Sequence, residues 1–290
     1  MLILALHQLM PNPTPVSIML AALITLSGCH PAAPITSPRK AKSEAQPHVS
    51  AITPNPPLLV SDSHPAEAPR LLRKEIAGIE FEGVSFDSRT HKLLVADQPD
   101  GPGSEFPTAA DAARIRGALL AINAGFFTPE GKPLGILISN GKTAGAWNSA
   151  SSLGNGIFSE TSGGYTSISR RGSRSVMSDA KELLQAGPLL LENGNEINGL
   201  DGSKSALRSI LLTDGDHRWW IGKTSSCTLA ALGSALSSGS PAAWEIQNAL
   251  NLDGGRSTDL FISSSILGGP ITRRGFLNRP VRNFLILMSR

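Results

Sequence analysis

The sequence predicts an α+β fold, a single domain of mixed and antiparallel β-sheets with a few packed helices. Three observations lead there. Short apolar runs recur over residues 76–288, each bounded by Gly-, Asn- or Asp-containing turns. Helical patterning is confined to a stretch opened by Phe106-Pro107-Thr108 and to two stretches within residues 228–249. No internal repeat is evident, and strands with segregated helices are the α+β arrangement.

The N-terminal residues stand apart from that domain. Residues 16–26 are apolar but too short for a comfortable membrane span, and they lead into Leu26-Ser27-Gly28-Cys29. An apolar core, small residues and a cysteine make a secretory signal of residues 1–28. The ending resembles a bacterial lipobox, in which Cys29 is lipidated and becomes the first mature residue. No Lys or Arg precedes the run, and a plain cleaved signal or short anchor helix is the competing reading. Residues 29–70 read as a Pro-rich disordered tether. Twelve of the 21 prolines lie in the first 70 residues and 28 of the 29 glycines lie after them; such sequence buries too little surface to fold. The expected location is exported and lipid-anchored to the cell envelope. His30 after the cysteine, rather than Asp, favours the outer membrane, facing the periplasm, in a Gram-negative cell.

Residues 71–290 are enough for one domain with a sizeable core. They carry 22 basic and 20 acidic residues, a balance that gives no basic surface for nucleic acid. Cys29 and Cys227 are the only cysteines. With Cys29 lipidated there is no disulfide framework, and Cys227 is expected to pack as a small buried apolar residue.

The elements follow in order. Residues 76–86 alternate apolar and polar as a strand, and residues 92–97 form a second one after a turn at 87–90. Thr108 with Asp111 makes a capping-box start for a helix ending near Arg116. The strand at 118–122 ends in Asn123-Ala124-Gly125-Phe126-Phe127, whose phenylalanines suit either core or a sugar-stacking platform. A strand at 134–139 meets the turn Asn140-Gly141, and another glycine-punctuated strand covers 153–158. The basic cluster 169–174 reads as an exposed loop. Gly187-Pro188 enters a buried strand closed by Asn193-Gly194. The strand at 207–213 carries Arg208, and a buried guanidinium requires a carboxylate partner or an anionic ligand. After a strand at 219–222, helices are expected at 228–237 and at 241–249, the second opened by Pro241. A last strand covers 281–288.

The most informative stretch is Asn251-Leu252-Asp253-Gly254-Gly255-Arg256-Ser257-Thr258-Asp259. Asp253 ends an apolar strand and meets a Gly-Gly turn, where successive N–H groups can cradle an anion. The alternative is an ordinary hairpin turn.

In order along the chain come Asn123-Ala-Gly-Phe-Phe127, the 135–141 segment, Gly154-Asn-Gly-Ile-Phe158, Gly187-Pro-Leu189 with Asn193-Gly194, Arg208, Asn251-Leu-Asp-Gly-Gly255 with Ser257-Thr258, and residues 279–283. Together these resemble the phosphodiester glycosidase family over most of residues 76–288. Ala124 stands where that family often has a second glycine, and Arg256 where a small residue is more usual, which leaves the size and charge of the substrate open.

The resemblance implies a hydrolase acting on phosphodiester-linked sugars. The expected substrate is a sugar-1-phosphodiester of the N-acetylglucosamine-1-phosphate type on an envelope or exopolysaccharide glycan. A phosphate monoester is a weakly basic leaving group, so the site needs a carboxylate and anion-stabilising groups more than a strong general acid. Asp253 is the expected carboxylate, Arg208 the phosphate-binding guanidinium, and Asn123 a third catalytic residue. Gly125, Gly187, Gly254, Gly255, Ser257, Thr258 and Asn283 are the expected substrate-binding positions, with Gly254 and Gly255 adding backbone donors. Asp259, Asp201 and Glu192 are all open as a second carboxylate. No cofactor is implied, a divalent cation being left open, and no histidine pair at zinc-binding spacing is present. The expected partners are a carbohydrate or phosphoglycan substrate and, through Cys29, a membrane. Two other readings stand beside this one: a non-catalytic envelope-tethered module binding glycans or phospho-polymers, and a metal-dependent hydrolase using Asp253, Asp259 and Asn251.

Overall fold

Runs such as Ile210-Leu211-Leu212 and Trp219-Trp220-Ile221 are apolar on both faces of a strand, so each strand needs cover on both sides. The computed structural model describes residues 65–172 and 174–290 and supplies that cover. The expected signal segment, Cys29 and most of the tether lie outside the described residues. β1 (Arg70–Ile76) and β2 (Ile79–Asp87) form a hairpin, followed by β3 (His91–Asp97), α1 (Ala109–Arg116), β4 (Leu120–Asn123), β5 (Leu137–Ser139) and β6 (Lys142–Ala144). Next come β7 (Gly156–Thr161), β8 (Thr166–Arg170), β9 (Ala180–Ala186), β10 (Leu189–Glu192), β11 (Asn195–Glu196), β12 (Ser209–Thr213) and β13 (Arg218–Thr224). The chain closes with α2 (Leu229–Ser238), β14 (Asn248–Asn251), β15 (Asp259–Ile262), β16 (Ile271–Arg274) and β17 (Asn283–Ser289).

Three sheets result, in the orders β1-β2-β13-β12-β14-β10-β11, β16-β15-β4-β17-β3 and β6-β5-β9-β7-β8. All of their strand pairings are antiparallel. The fold is therefore richer in sheet than expected, with two α-helices among the described residues. One core lies among all three sheets and includes Leu211, Trp219, Ile122, Phe158, Leu250 and Leu285. The alternate residues Ile210, Leu212 and Trp220 face the other way and pack with Leu232, Ala235 and Leu236 of α2. Ala109, Ala112 and Ala113 of α1 cover the second sheet against Ala121 and Phe284. Cys227 is buried in the α2 core. No helix among the described residues is long and apolar enough to cross a membrane.

Local signals set several boundaries. The Thr108 hydroxyl accepts from the Asp111 N–H at 3.1 Å and donates to its carboxylate at 2.8 Å, closing the start of α1. Asn140-Gly141 and Asn193-Gly194 have paired positive φ values, the geometry of two-residue hairpins. Ala77-Gly78 has the same geometry (φ 50° and 78°), so the strand expected at 76–86 is divided into a hairpin.

The helix expected at 241–249 does not form. Ala242, Trp244 and Ile246 are buried while Ala243 and Glu245 are exposed, a period of two that puts alternate side chains into the α2 core. The segment instead bends at 241–244 and reaches β14 through irregular backbone. The basic cluster at 169–174 ends β8, and Arg171 donates to three carbonyls, of Asn148, Ser151 and Gly154.

The second and third sheets are fastened side chain to edge. Glu182 of β9 accepts from the Val95 N–H of edge strand β3 at 2.8 Å and from the Asn140 N–H at 2.9 Å. The Ser139 hydroxyl donates to the Val95 carbonyl at 2.6 Å. Burial raises the Glu182 carboxyl to about 7, with the cross-strand Glu160 adding to the rise.

Candidate active site

β14 lies inside the seven-stranded sheet, between β12 and β10, and β15 lies in the second sheet. The turn between them carries Asp253 to Thr258 and is the crossover from one sheet to the other. Its course is set by backbone bonds: Leu252 N–H donates to Ser209 O and Asp253 N–H to Ala124 O, both at 2.8 Å. Asp253 therefore stands where β4, β12, β14 and β15 meet.

Asn123, at the end of β4, is fully buried behind that junction. Its Nδ2 donates to the Asp253 carbonyl at 2.6 Å. Its Oδ1 accepts from the Ser209 hydroxyl at 2.7 Å and from the Asp259 N–H at 3.0 Å. The amide expected to touch substrate is thus spent on holding the turn in place.

Two further expectations change in the same way. The Gly254 N–H donates to Asp253 Oδ1 at 2.9 Å and the Gly255 N–H to Leu207 O at 2.8 Å. The turn closes on itself and on residue 207, so these two donors are not offered to a ligand. A Cβ at Gly254 would stand 2.6 Å from Leu207 O, which is why the close approach needs glycine. Gly125 donates its N–H to Asn283 Oδ1 at 2.6 Å. Gly187 is packed with its Cβ position 2.3 Å from Ser152 O, and its carbonyl accepts from the Asn251 amide at 2.9 Å. Both glycines shape the backbone around the site.

The Asp253 carboxyl is 8% exposed, and burial raises its pKa. The Ser257 hydroxyl, the Gly254 N–H and the Arg279 charge oppose that rise. The Ser257 hydroxyl leans on the carboxylate without forming a well-aligned hydrogen bond. Arg279 also stands over the Phe127 ring, 5.0 Å from its centroid, a cation–π arrangement. The residue pattern placed Arg279 and Arg282 in the 279–283 motif and gave neither a role beside Asp253. Only the fold, which brings residues 275–280 against the turn, singles Arg279 out.

Arg208 precedes β12 and is half-buried. Its Nε donates to Cys227 O at 3.1 Å and its Nη2 to Lys204 O at 2.6 Å. These carbonyls stand in for the carboxylate partner, one of the two options the sequence left open, the other being an anionic ligand. Its Cα stands 3.5 Å from the Cβ position of Gly254, which keeps the residue beside the turn.

Ten buried side-chain polar atoms among the described residues have no hydrogen-bond partner within the protein, and five belong to this site: Asn251 Oδ1, Ser257 Oγ, Thr258 Oγ1, Asp259 Oδ1 and Asn283 Nδ2. Buried polar atoms are ordinarily satisfied, so this concentration marks a place built to meet polar groups. The other carboxylate oxygen of Asp259 is engaged outside the turn. It accepts from the Ala109 N–H at 3.1 Å and from Arg274, and burial raises the pKa of the carboxyl. Arg282 pairs with Asp97 through two bonds of 2.8 and 3.0 Å, fixing the entry to β17 and hence Asn283. Glu192 pairs with Arg170, and Asp201 accepts from Ser203, so neither is directed to Asp253. No group of three or more His, Cys, Asp or Glu among the described residues could hold a metal ion. Four surface cavities of about 300 to 460 Å³ lie elsewhere, none lined by Asp253.

The model of a family described as phosphodiester glycosidase matches residues 116–288. No curated protein matches the chain. Among solved structures, the catalytic domain of zebrafish N-acetylglucosamine-1-phosphodiester alpha-N-acetylglucosaminidase, auto-inhibited by its pro-peptide, is similar at a TM-score of 0.54 and 18% identity, covering 79% of this chain and 85% of that one. A protein of Synechocystis is similar at 0.51 and 17%, covering 79% of this chain and 64% of its own. A Burkholderia pseudomallei protein described as exported is similar at 0.52 and 11%, covering 72% and 74%. At these identities the likeness is one of fold.

Proposed function

Because the chain belongs to the phosphodiester glycosidase family, we propose that it hydrolyses a sugar-1-phosphodiester at the anomeric carbon. The observation that carries this reading is a buried carboxylate, Asp253, in the field of an arginine, Arg279, that has no ion pair of its own among the described residues. Arg279 and Arg208 hold the phosphate, and the orphaned groups of Ser257, Thr258 and Asn283 meet sugar or phosphate oxygens. Asp253 takes a proton from water. The water oxygen bonds to the anomeric carbon, and the bond from that carbon to the phosphate oxygen breaks. The phosphate monoester leaves with the electron pair. A carboxyl raised above the usual aspartate range is a stronger base for this step. Asn123 is a positioning residue in this scheme.

The substrate we propose is a sugar-1-phosphodiester of the N-acetylglucosamine-1-phosphate type in the cell envelope. Export, lipid attachment at Cys29 and the tether belong to the same proposal and rest on the sequence. The B. pseudomallei neighbour is described as exported, which accords with export alone. Cys29→Ser is expected to move the protein from the membrane to the soluble fraction of its host.

The test is release of N-acetylglucosamine from an alkyl-phospho-N-acetylglucosamine by the purified full chain, beside Asp253→Asn. Turnover abolished by the substitution in a folded variant supports the assignment. Turnover that survives it removes Asp253 from the mechanism. No turnover together with measurable glycan binding favours a non-catalytic module.

A further inference from the structure

From residue 260 to the C-terminus the chain has five arginines and no Asp or Glu. Four arginines are engaged in ion pairs: Arg273 with Glu82, Arg274 with Asp259, Arg282 with Asp97 and Arg290 with Glu160. Arg279, beside Asp253, is the fifth. Just ahead of it, Phe276 is 101% exposed and Leu277 68% exposed. Large apolar side chains adjacent in water and next to a site mark an interaction surface.

The segment carrying them is fastened to the Asp253 turn. Arg256 Nε donates to Leu277 O at 3.0 Å, and Arg279 N–H donates to Arg256 O at 3.2 Å. The Asn278 amide donates to Thr258 O, and the Asn278 N–H donates to Gly275 O at 3.1 Å. One rim therefore presents two guanidinium groups without ion pairs among the described residues, those of Arg256 and Arg279, and two bare apolar side chains. Phe276 and Leu277 supply no hydrogen bonds to a polar leaving group, and Leu277 offers no flat face on which a sugar ring could stack. The rim complements a phosphate that continues into hydrocarbon.

We infer that residues 275–280 form the subsite for the far side of the phosphodiester, and that the group there is apolar and lipid-like. The inference rests on the phosphodiester reading of the same site and names the other half of its substrate.

The test compares methyl phosphate with octyl phosphate, the monoesters such substrates would release, by calorimetric titration of the full chain and its F276S/L277S variant. Octyl phosphate is expected to bind at least about tenfold more tightly, through burial of its chain. The double variant is expected to lose that preference and to bind methyl phosphate unchanged. Equal affinities, no binding of either, or a preference that survives the double substitution would overturn the subsite. Equal affinities with sedimentation on anionic vesicles that the double variant loses would also overturn it, giving the segment to a membrane surface. Sugar release from the methyl and octyl diesters is followed in parallel. Chain-length-dependent binding without any release keeps the subsite and removes the hydrolase reading.

Discussion

Asn123 holds Asp253 by its backbone and leaves its carboxylate untouched. The Asn123 amide donates to the Asp253 carbonyl at 2.6 Å, while the amide oxygen binds the Ser209 hydroxyl and the Asp259 N–H. One buried side chain therefore ties together β4, β12 and both ends of the crossover turn.

Asn123→Ala should leave three buried polar groups without partners. The expected loss is about 2–4 kcal/mol of stability, since each orphaned group costs about 1–3 kcal/mol and local relaxation recovers part. Urea unfolding measures it. If instead stability holds and only turnover falls, Asn123 contacts substrate after all.

Arg279 lowers the pKa of Asp253 against the larger effect of burial. With Arg279→Ala the acid form of Asp253 becomes more favoured, so the rising limb of kcat/KM against pH should move to higher pH. Phosphate binding should weaken as well, for a combined loss of about 10- to 100-fold at neutral pH. Arg279→Lys keeps the charge and should keep the limb in place while recovering only part of the rate. An unmoved limb in Arg279→Ala would separate the two residues.

Gly254→Ala places a Cβ 2.6 Å from Leu207 O, and the turn must shift to admit it. Activity should fall by an order of magnitude or more, with about 1–3 kcal/mol lost from overpacking. Activity assay and thermal unfolding on the same sample check both. Gly172, where an added Cβ would come no nearer than 3.9 Å to Arg170 O, is the control and should tolerate alanine.

Glu182 is held near 7 by burial, above its ordinary 4.5. A carboxyl whose folded pKa is raised favours the folded state when protonated. Its effect is therefore stabilising below about pH 4.5 and is lost as the pH rises through about 7. Across that window the ceiling is about 3 kcal/mol, and water reaching the carboxylate reduces it. Asp253, Asp259 and Glu160 share the direction, and His91, whose pKa is lowered, opposes it. The difference between wild type and Glu182→Gln isolates the one residue. Denaturant midpoints at pH 5 and pH 8 should differ less in the variant; equal pH dependence in both would remove Glu182 as the source.

By itself the sequence determined whatever is settled within a few residues. The Thr108–Asp111 cap, the Asn140-Gly141 and Asn193-Gly194 turns, the apolar runs and the order of motifs that carries the family were all legible there. Each rests on contacts between near neighbours or on residue types in a fixed spacing. Tertiary structure decided the partners. Residues 241–249 hold enough helix-formers to read as a helix, yet Ala242, Trp244 and Ile246 all reach the α2 core from a bent, non-helical segment. The N–H groups of Gly254 and Gly255 read as an anion cradle, and Leu207 and the Asp253 carboxylate claim them. Arg208 found carbonyls where a carboxylate or an anionic ligand was expected, and Arg279, carried in the chain only as the first residue of the 279–283 motif, became the cation whose charge reaches Asp253. Asn123 and Asp253 are 130 positions apart, and no local pattern encodes which distant group will satisfy a buried donor. That choice is made only when the three sheets close on one core.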